Sequence, residues 1–326
     1  MLNDTREIHW GIIGCGSIAH KFATDLKTVP KAILYAVASR DLQKAEKFGQ
    51  LHGATRFYGQ YEVLMQDPLV DIIYIATPHP FHCENAVQCL EHKKAVLCEK
   101  PLAMNIKEVE QMIQSAKATN CFLMEALWTY FLPHYQYVLE VIESQALGNI
   151  TLLEADFGFK GNTDPNGRLY DKSLGGGSLL DVGIYPLFTA LTLLGYPTDY
   201  EAEATFAETG VDTDCYMHLY YENGAQAKLY SAIHKETKTE ARIVLEKGEI
   251  HIHSRFHEPS SVTVITTDSS ENFTFPVTTN GYNFEAKHAQ EQLLKNNIES
   301  PLMTFEKSRQ LMQLIDGIRE KIGLVY

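Results

Sequence analysis

Four short segments of this chain carry residue types at spacings that could bind a nucleotide and move a proton. Gly14-Cys15-Gly16-Ser17-Ile18-Ala19 follows a run of apolar residues and has the pattern G-x-G-x-x-A. In such a turn the first glycine bends the chain, the second lets backbone approach a pyrophosphate, and the small last residue packs helix on strand. The pyrophosphate would rest on free N–H groups around Ser17 and Ile18, at the positive end of a helix dipole. About 20 residues on, where such folds meet the adenine ribose, stands Ala38-Ser39-Arg40-Asp41-Leu42. Asp41 could bind a ribose hydroxyl, but just before a helical stretch an aspartate is better explained as an N-cap. Ser39 and Arg40 then offer a hydroxyl and a guanidinium fork to a 2′-phosphate, which favours NADP, with NAD as the alternative. Two further apolar runs end in Thr77-Pro78-His79-Pro80-Phe81-His82 and in Glu99-Lys100-Pro101. A lysine between a buried strand and a proline is rigidly aimed, although a solvated surface lysine is the commoner case.

The elements that must position these groups follow from hydrophobic period. Ile8–Ile13, Ala32–Ser39, Thr55–Tyr58, Val70–Ala76, Ala95–Cys98 and Cys121–Glu125 read as strands. Between them lie helical segments such as Phe81–His92 and Ile106–Thr119, the latter opened by Asn105 with Glu108 as a capping box. Continuous apolar strands separated by helices predict a parallel, doubly wound sheet, with ligands beyond the strands' carboxyl ends. After Glu125 the character changes. A helix from Pro133 to about Glu143, a strand over Ile150–Phe159, and a long apolar helix opened by Gly175-Gly176-Gly177 lead into strand after strand from Tyr200 to about Val277. Two amphipathic helices near 283–297 and 305–322 close the sequence. The expected fold is α/β: a Rossmann-type domain over 1–126, then an α+β domain over 127–326 with an open, mostly antiparallel sheet for substrate binding and oligomerisation.

Composition narrows the function. The 326 residues include 28 Lys and Arg against 41 Asp and Glu, a net charge of −13, so the surface repels polyanions and nucleic acid is not an expected partner. The hydrophobic fraction of 45% is that of a globular protein, and no stretch approaches the roughly 18 consecutive apolar residues of a membrane span. Met1–Glu7 lacks the apolar core of a signal peptide, and the six cysteines contain no C-x-x-C pair. Both predict reduced thiols in the cytoplasm.

The motifs together resemble the Gfo/Idh/MocA oxidoreductases. The marks are Gly14–Ala19, Thr77-Pro78 with His82, Glu99-Lys100-Pro101, and Gly175-Gly176-Gly177-Ser178-Leu179-Leu180-Asp181-Val182-Gly183-Ile184-Tyr185. Met124–Thr129 and Gly183–Pro186 are most similar to the branch of dimeric dihydrodiol dehydrogenases and NADP-dependent sugar dehydrogenases, which carries Tyr where many members carry His. The resemblance implies that Lys100 lies beside the nicotinamide, that Asp181 and Tyr185 are the carboxylate and proton-transfer group, and that Trp128 walls the substrate pocket. It further implies that Arg168 reaches cofactor or substrate and that Thr77, Pro78, His82 and Glu99 line the cofactor cleft. His79 stands where asparagine is common, and Tyr130 where close relatives place arginine, so a cationic pocket wall becomes phenolic.

The chemistry suits those roles. Oxidising an alcohol needs a base for the hydroxyl proton, and a lysine cation lowers the pKa of a nearby tyrosine. Tyr185 is therefore expected as acid/base, assisted by Lys100, with Asp181 four residues earlier on the same helical side orienting substrate or lysine. Lys100 itself is the alternative proton donor. The expected activity is NADP-dependent hydride transfer at the hydroxyl or carbonyl carbon of a sugar, inositol or trans-dihydrodiol, by a homodimer. A non-catalytic NADP-binding sensor and an imine or tetrapyrrole reductase are the alternatives. His251 and His253, with Glu249, His257 and Glu258 nearby, are explained by an exposed polar strand, so no metal is expected. Tyr216, Tyr220, Tyr221 and Tyr230 fit sheet packing and a subunit interface.

Overall fold

The computed structural model describes residues 6–326; the expectation drawn from the segment Met1 to Thr5 lies outside them. The first half alternates β1 (Ile8–Ile13), α1 (Ser17–Leu26), β2 (Ala32–Ala38), α2 (Leu42–His52), β3 (Arg56–Tyr58), α3 (Tyr61–Gln66), β4 (Ile72–Ile75), α4 (His82–Glu91), β5 (Ala95–Glu99), α5 (Ile106–Thr119) and β6 (Leu123–Ala126). These six strands form one parallel sheet in the order β3-β2-β1-β4-β5-β6. That order reverses between β1 and β4, the switch point where doubly wound sheets bind ligands. Every residue of β4 and β5 is buried, as the unbroken apolar runs require of strands covered on both faces.

Local chemistry sets the helix starts. Asp41 accepts hydrogen bonds from the Gln43 and Lys44 N–H groups at 2.9 and 3.3 Å and caps α2, as its position before the helix predicts. At α5 the Asn105 side chain accepts from the Glu108 N–H at 3.1 Å, and the Glu108 carboxylate accepts from the Met104 N–H at 3.0 Å. The capping box is thus present, shifted back by one residue at its return bond.

The second half contains α6 (Pro133–Glu143), β7 (Ile150–Gly158), α7 (Ile184–Leu194), β8 (Asp199–Phe206), β9 (Asp212–Tyr220), β10 (Gln226–Ala232), β11 (Ala241–Leu245), β12 (Gly248–Ile252), β13 (Val262–Thr266), β14 (Ser270–Phe273), α8 (Tyr282–Leu294) and α9 (Phe305–Ile322). Its eight-stranded sheet runs β14-β13-β12-β11-β7-β10-β9-β8, antiparallel except where β10 lies parallel to β7. The helical run from Lys172 to Leu194 is long and apolar enough to cross a membrane by length and composition, but most of it is buried as the core helix against this sheet.

The described residues divide into two compact units, one of 6–128 with 277–309 and one of 129–276 with 310–326. A single division after residue 126 assigns 277–309 to the second domain, whereas here that segment returns to the first. The cause is Asp25 on α1. Its carboxylate is fully buried and accepts from the Asn280 N–H and side-chain amide at 3.1 and 2.7 Å and from the Tyr282 N–H at 2.9 Å, capping α8 from another helix. Trp10 on β1 adds a bond from Nε1 to the Gln290 side-chain oxygen at 3.2 Å.

Candidate active site

At the switch point of the first unit, Gly14 has φ +91°, and a Cβ there would stand 2.6 Å from the Ala76 carbonyl oxygen. Only glycine lets the turns after β1 and β4 approach this closely. Gly16 precedes α1 in extended conformation, offers no side-chain cap, and has open space where a Cβ would be. The first N–H groups of α1, at Ser17 and Ile18, therefore have an unobstructed approach, and the cradle fits a dinucleotide pyrophosphate.

The phosphate-discriminating segment is equally specific. Because Asp41 is committed to α2, the side chains left at the end of β2 are Ser39 and Arg40. Ser39 is buried, with its hydroxyl accepting from the Asp41 N–H at 3.3 Å, and the exposed Arg40 guanidinium lies 5.7 Å over the Phe81 ring.

The turns carrying Thr77-Pro78 and Glu99-Lys100-Pro101 are tied by His82. Its ring is completely buried, with Nδ1 2.8 Å from the Pro101 carbonyl oxygen and Nε2 2.8 Å from that of Thr77. Burial holds the His82 pKa below its ordinary value, aided by the Lys100 charge and opposed by those two hydrogen bonds. His82 thus acts as a strut between the turns. Thr77 also accepts from the Asn85 amide at 3.3 Å. The buried Glu99 carboxylate accepts from the Tyr74 hydroxyl and, at 3.3 Å, from the Lys100 N–H, and Lys100 joins Pro101 through a cis peptide.

A group outside the sequence-based set supports the same turn. Glu125, at the end of β6, accepts from the Leu102 N–H at 2.9 Å and from the Ser308 hydroxyl at 2.7 Å. Burial pushes its carboxyl up to about 7 although both bonds oppose the shift. Trp128 stacks face to face on Tyr282, ring centroids 4.2 Å apart and 7° from parallel.

In the second unit the glycine run brings Arg168 to Asp181. A Cβ on Gly176 would lie within 2.6 to 2.9 Å of the carbonyl oxygens of Leu169, Arg168 and Asp171, so only glycine lets the helix start sit against that loop. Arg168 then places Nη1 3.0 Å and Nη2 3.2 Å from the two Asp181 carboxylate oxygens, a bidentate pair. Asp181 falls in a widened turn, Leu179–Gly183, that bonds i to i+5 before α7 begins. Pro186 explains the widening, because a proline ring in a regular helix collides with the carbonyl four residues back, here Val182. Below the turn, buried Asp212 accepts from the Ser178 hydroxyl at 2.6 Å and the Leu179 N–H at 2.7 Å. Burial pushes the Asp212 carboxyl up to about 7 against these bonds. The Tyr326 hydroxyl donates to the Gly176 carbonyl at 2.6 Å.

Tyr185, buried at the start of α7, lies in an aromatic cluster with Phe157 and His257 at centroid distances of 5.6 and 4.9 Å. Here the exposed-strand explanation is corrected for His257, which is only 3% exposed and sits in a loop after β12, its ring stacked on Phe157. Tyr130 packs edge-on against Phe188 of α7, 5.6 Å between centroids, and is 8% exposed. The remaining histidines of that group are engaged on the open sheet, His251 with Glu249 at 3.0 Å and His253 with Thr263 at 2.7 Å. Among the described residues no three His, Cys, Asp or Glu side chains gather to hold a metal ion.

Sequence reasoning missed Asp212, Ser308, Tyr326 and Arg255, and it assigned His257 and Glu258 to an exposed polar strand.

A doubly wound sheet with a glycine turn at its switch point, joined to an open-sheet unit bearing an arginine-fixed aspartate and a helix-borne tyrosine, defines a two-domain, dinucleotide-binding oxidoreductase. Comparison with known proteins makes this specific. Residues 8–127 match the family described as an oxidoreductase family with NAD-binding Rossmann fold, and residues 135–251 match the GFO/IDH/MocA C-terminal domain. The chain belongs to the Gfo/Idh/MocA oxidoreductase family. It is 38% identical over 329 residues to a trans-1,2-dihydrobenzene-1,2-diol dehydrogenase of Xenopus laevis, covering 97% of this chain and 98% of that one. The protein of that name from Homo sapiens is 33% identical over 333 residues, covering 98% of each. Among solved structures, a 3-ketoreductase from Actinomadura kijaniata in complex with NADP and TDP-benzene superimposes with a TM-score of 0.87 at 25% identity, covering 97% of this chain and 98% of that one.

Proposed function

We propose that this protein is an NADP-dependent dehydrogenase acting at the hydroxyl or carbonyl carbon of a small polyhydroxylated molecule, with a cyclic trans-diol as its foremost substrate class. The observation that carries this is the Arg168 fork on Asp181, four residues before Tyr185, in a chain so similar to proteins named as diol dehydrogenases. NADP is favoured over NAD because capping α2 occupies Asp41, while Ser39 and Arg40 remain to meet a 2′-phosphate. When bound, the nicotinamide supplies the hydride acceptor or donor.

The chain's own residues do the rest. Gly14 and Gly16 admit the pyrophosphate to the N–H groups of Ser17 and Ile18. Thr77, Pro78 and Glu99 line the cofactor site, and His82 keeps their turns in register. Tyr185 takes the substrate hydroxyl proton at Oη in the oxidative direction and returns it in the reductive one. Lys100, at the cofactor turn after β5, is the alternative proton donor. Asp181 orients the reacting hydroxyl, Arg168 fixes Asp181 and offers its exposed edge to cofactor or substrate, and Trp128 and Tyr130 form walls.

The active form is a homodimer in the cytoplasm. The open sheet face, where Tyr216 lies opposite Tyr230 and is 41% exposed, is the surface for a second copy. A panel of trans-diols, inositols and aldoses assayed with NADP and NAD tests the function, by absorbance of the reduced cofactor. NADP-linked turnover of at least one trans-diol is expected. Tight NADPH binding with no turnover across the panel would contradict it.

A further inference from the structure

His257 and its neighbours form a group that the proposed function does not use. The His257 imidazole is stacked on Phe157, centroids 4.0 Å apart and 23° from parallel, and its centroid is 4.9 Å from that of Tyr185. Its Nε2 stands 3.6 Å from a Glu258 carboxylate oxygen. The other Glu258 oxygen accepts from Arg255 Nε at 2.7 Å. Burial disfavours the Glu258 anion, but the hydrogen bonds from Arg255 and His257 and their charges outweigh it and hold the carboxyl well below its usual range.

The loop is pinned independently of these charges. The His257 carbonyl accepts from the Thr129 hydroxyl at 2.7 Å, and the Phe256 carbonyl accepts from His134 Nε2 at 2.9 Å. The Phe256 N–H donates to the Thr239 carbonyl at 3.1 Å. Arg255 keeps a left-handed backbone, φ 63°, which a non-glycine residue adopts only when its surroundings hold it there. A buried ring fixed through its backbone and paired with an anion that is itself paired is more than filler between two aromatics.

We propose that His257, held by Glu258 and Arg255, is a positioning residue for Tyr185: it fixes the phenol ring and, as the Glu258-paired cation, favours the phenolate that accepts the substrate proton. The inference rests on Tyr185 being the proton-transfer group. In the oxidative direction the substrate C–H and O–H bonds break and a C=O bond forms. The hydride leaves to the nicotinamide, which is reduced, and the proton ends on Tyr185 Oη. A cation on a ring centred 4.9 Å from the phenol ring favours the state that accepts the proton, as a nearby opposite charge favours any ionised group. The groups facing His257 are Phe157 from β7, Tyr185 from α7, His134 from α6, and Glu258 and Arg255 from its own loop. His134 is pushed down to about 4, first by burial and in smaller part by His257, so it stays neutral near neutral pH and does not compete for the proton.

The test compares His257→Phe, which keeps volume and stacking, with Glu258→Gln and with Tyr185→Phe, all as full-length protein. The pH profiles of kcat and kcat/KM for diol oxidation are read after melting curves and NADPH fluorescence titration establish folding. In His257→Phe the limb rising with pH moves at least about one unit toward alkaline pH, so that turnover at neutral pH falls about tenfold and recovers at high pH with KM little changed. Glu258→Gln moves it the same way by less, and carries the test if His257→Phe does not fold. Adding His257→Phe to Tyr185→Phe costs nothing further. An unmoved limb in the folded variants, with Tyr185→Phe inactive, would overturn this inference alone. Near-normal turnover in Tyr185→Phe would overturn it together with the proposed role of Tyr185.

Discussion

Arg168 grips Asp181, thirteen positions further along the chain, with both terminal nitrogens, at 3.0 and 3.2 Å. The Asp181 charge, more than any other group, raises the Arg168 pKa further above its already high value. The carboxylate is thereby fixed in direction and in charge. Arg168→Lys keeps a cation but loses the planar fork, so kcat/KM for diol oxidation should fall about 10- to 100-fold, and Arg168→Ala should fall further. The pair is partly exposed, so the melting temperature should change little. Unchanged kinetics in Arg168→Lys would mean that direction is unimportant.

Gly176 and Tyr326 act on the same loop from two sides. Gly176→Ala drives a Cβ into three backbone carbonyls, displaces the Arg168 segment, and should lower kcat while NADPH titrations stay as in the parent. Tyr326→Phe removes only the hydroxyl bond to the Gly176 carbonyl and should cost about 1 kcal/mol of stability with a smaller kinetic effect. Equal effects of the two would show that loop packing, not the approach at Gly176, sets the geometry.

Glu125 makes stability depend on pH in a stated direction. Its carboxyl moves from an ordinary 4.5 to about 7 because it is buried, so the folded protein keeps a proton that the unfolded chain has already released. Its contribution is complete below about pH 4.5 and is lost as pH rises through about 7. Asp212, raised from 3.8 to about 7, adds a loss of the same sign. Glu125→Gln should flatten the fall in unfolding free energy between about pH 5 and about pH 8 by up to about 3 kcal/mol. Denaturant titrations at both pH values check this, and an unchanged slope would place the titration elsewhere.

Cofactor choice separates two adjacent residues. Arg40→Ala should weaken NADPH at least about tenfold while leaving NADH nearly unchanged, as expected for loss of a charge-assisted phosphate contact. Asp41→Ala should cost about 1 kcal/mol of stability through the lost cap and leave the NADPH to NADH ratio alone. Loss of NADH binding in Asp41→Ala would instead make it the ribose acid.

The first sheet was legible because its central strands β4 and β5 are buried, largely apolar runs and two of its helix starts are local matters: Asp41 and Asn105 cap within three residues of themselves. The glycine turn at Gly14 was legible for the same reason. What escaped depends on partners far apart in sequence. Asp25 reads as an ordinary polar residue of an amphipathic helix, and only its bonds to Asn280 and Tyr282 reveal why 277–309 joins the first unit. His257 stands among serines, glutamate and arginine, which reads as surface, yet Phe157 from β7 covers its ring. Asp181 and Tyr185 were placed on one helical side by their spacing of four. The widened turn ahead of Pro186 and the grip of Arg168 were not visible in that spacing.

The most direct test of the central claim is the turnover number of Tyr185→Phe for NADP-linked oxidation of a trans-diol, measured beside its affinity for NADPH. A fall in kcat of at least about 100-fold with NADPH affinity unchanged is expected. Near-normal kcat in a variant that still binds NADPH would contradict it.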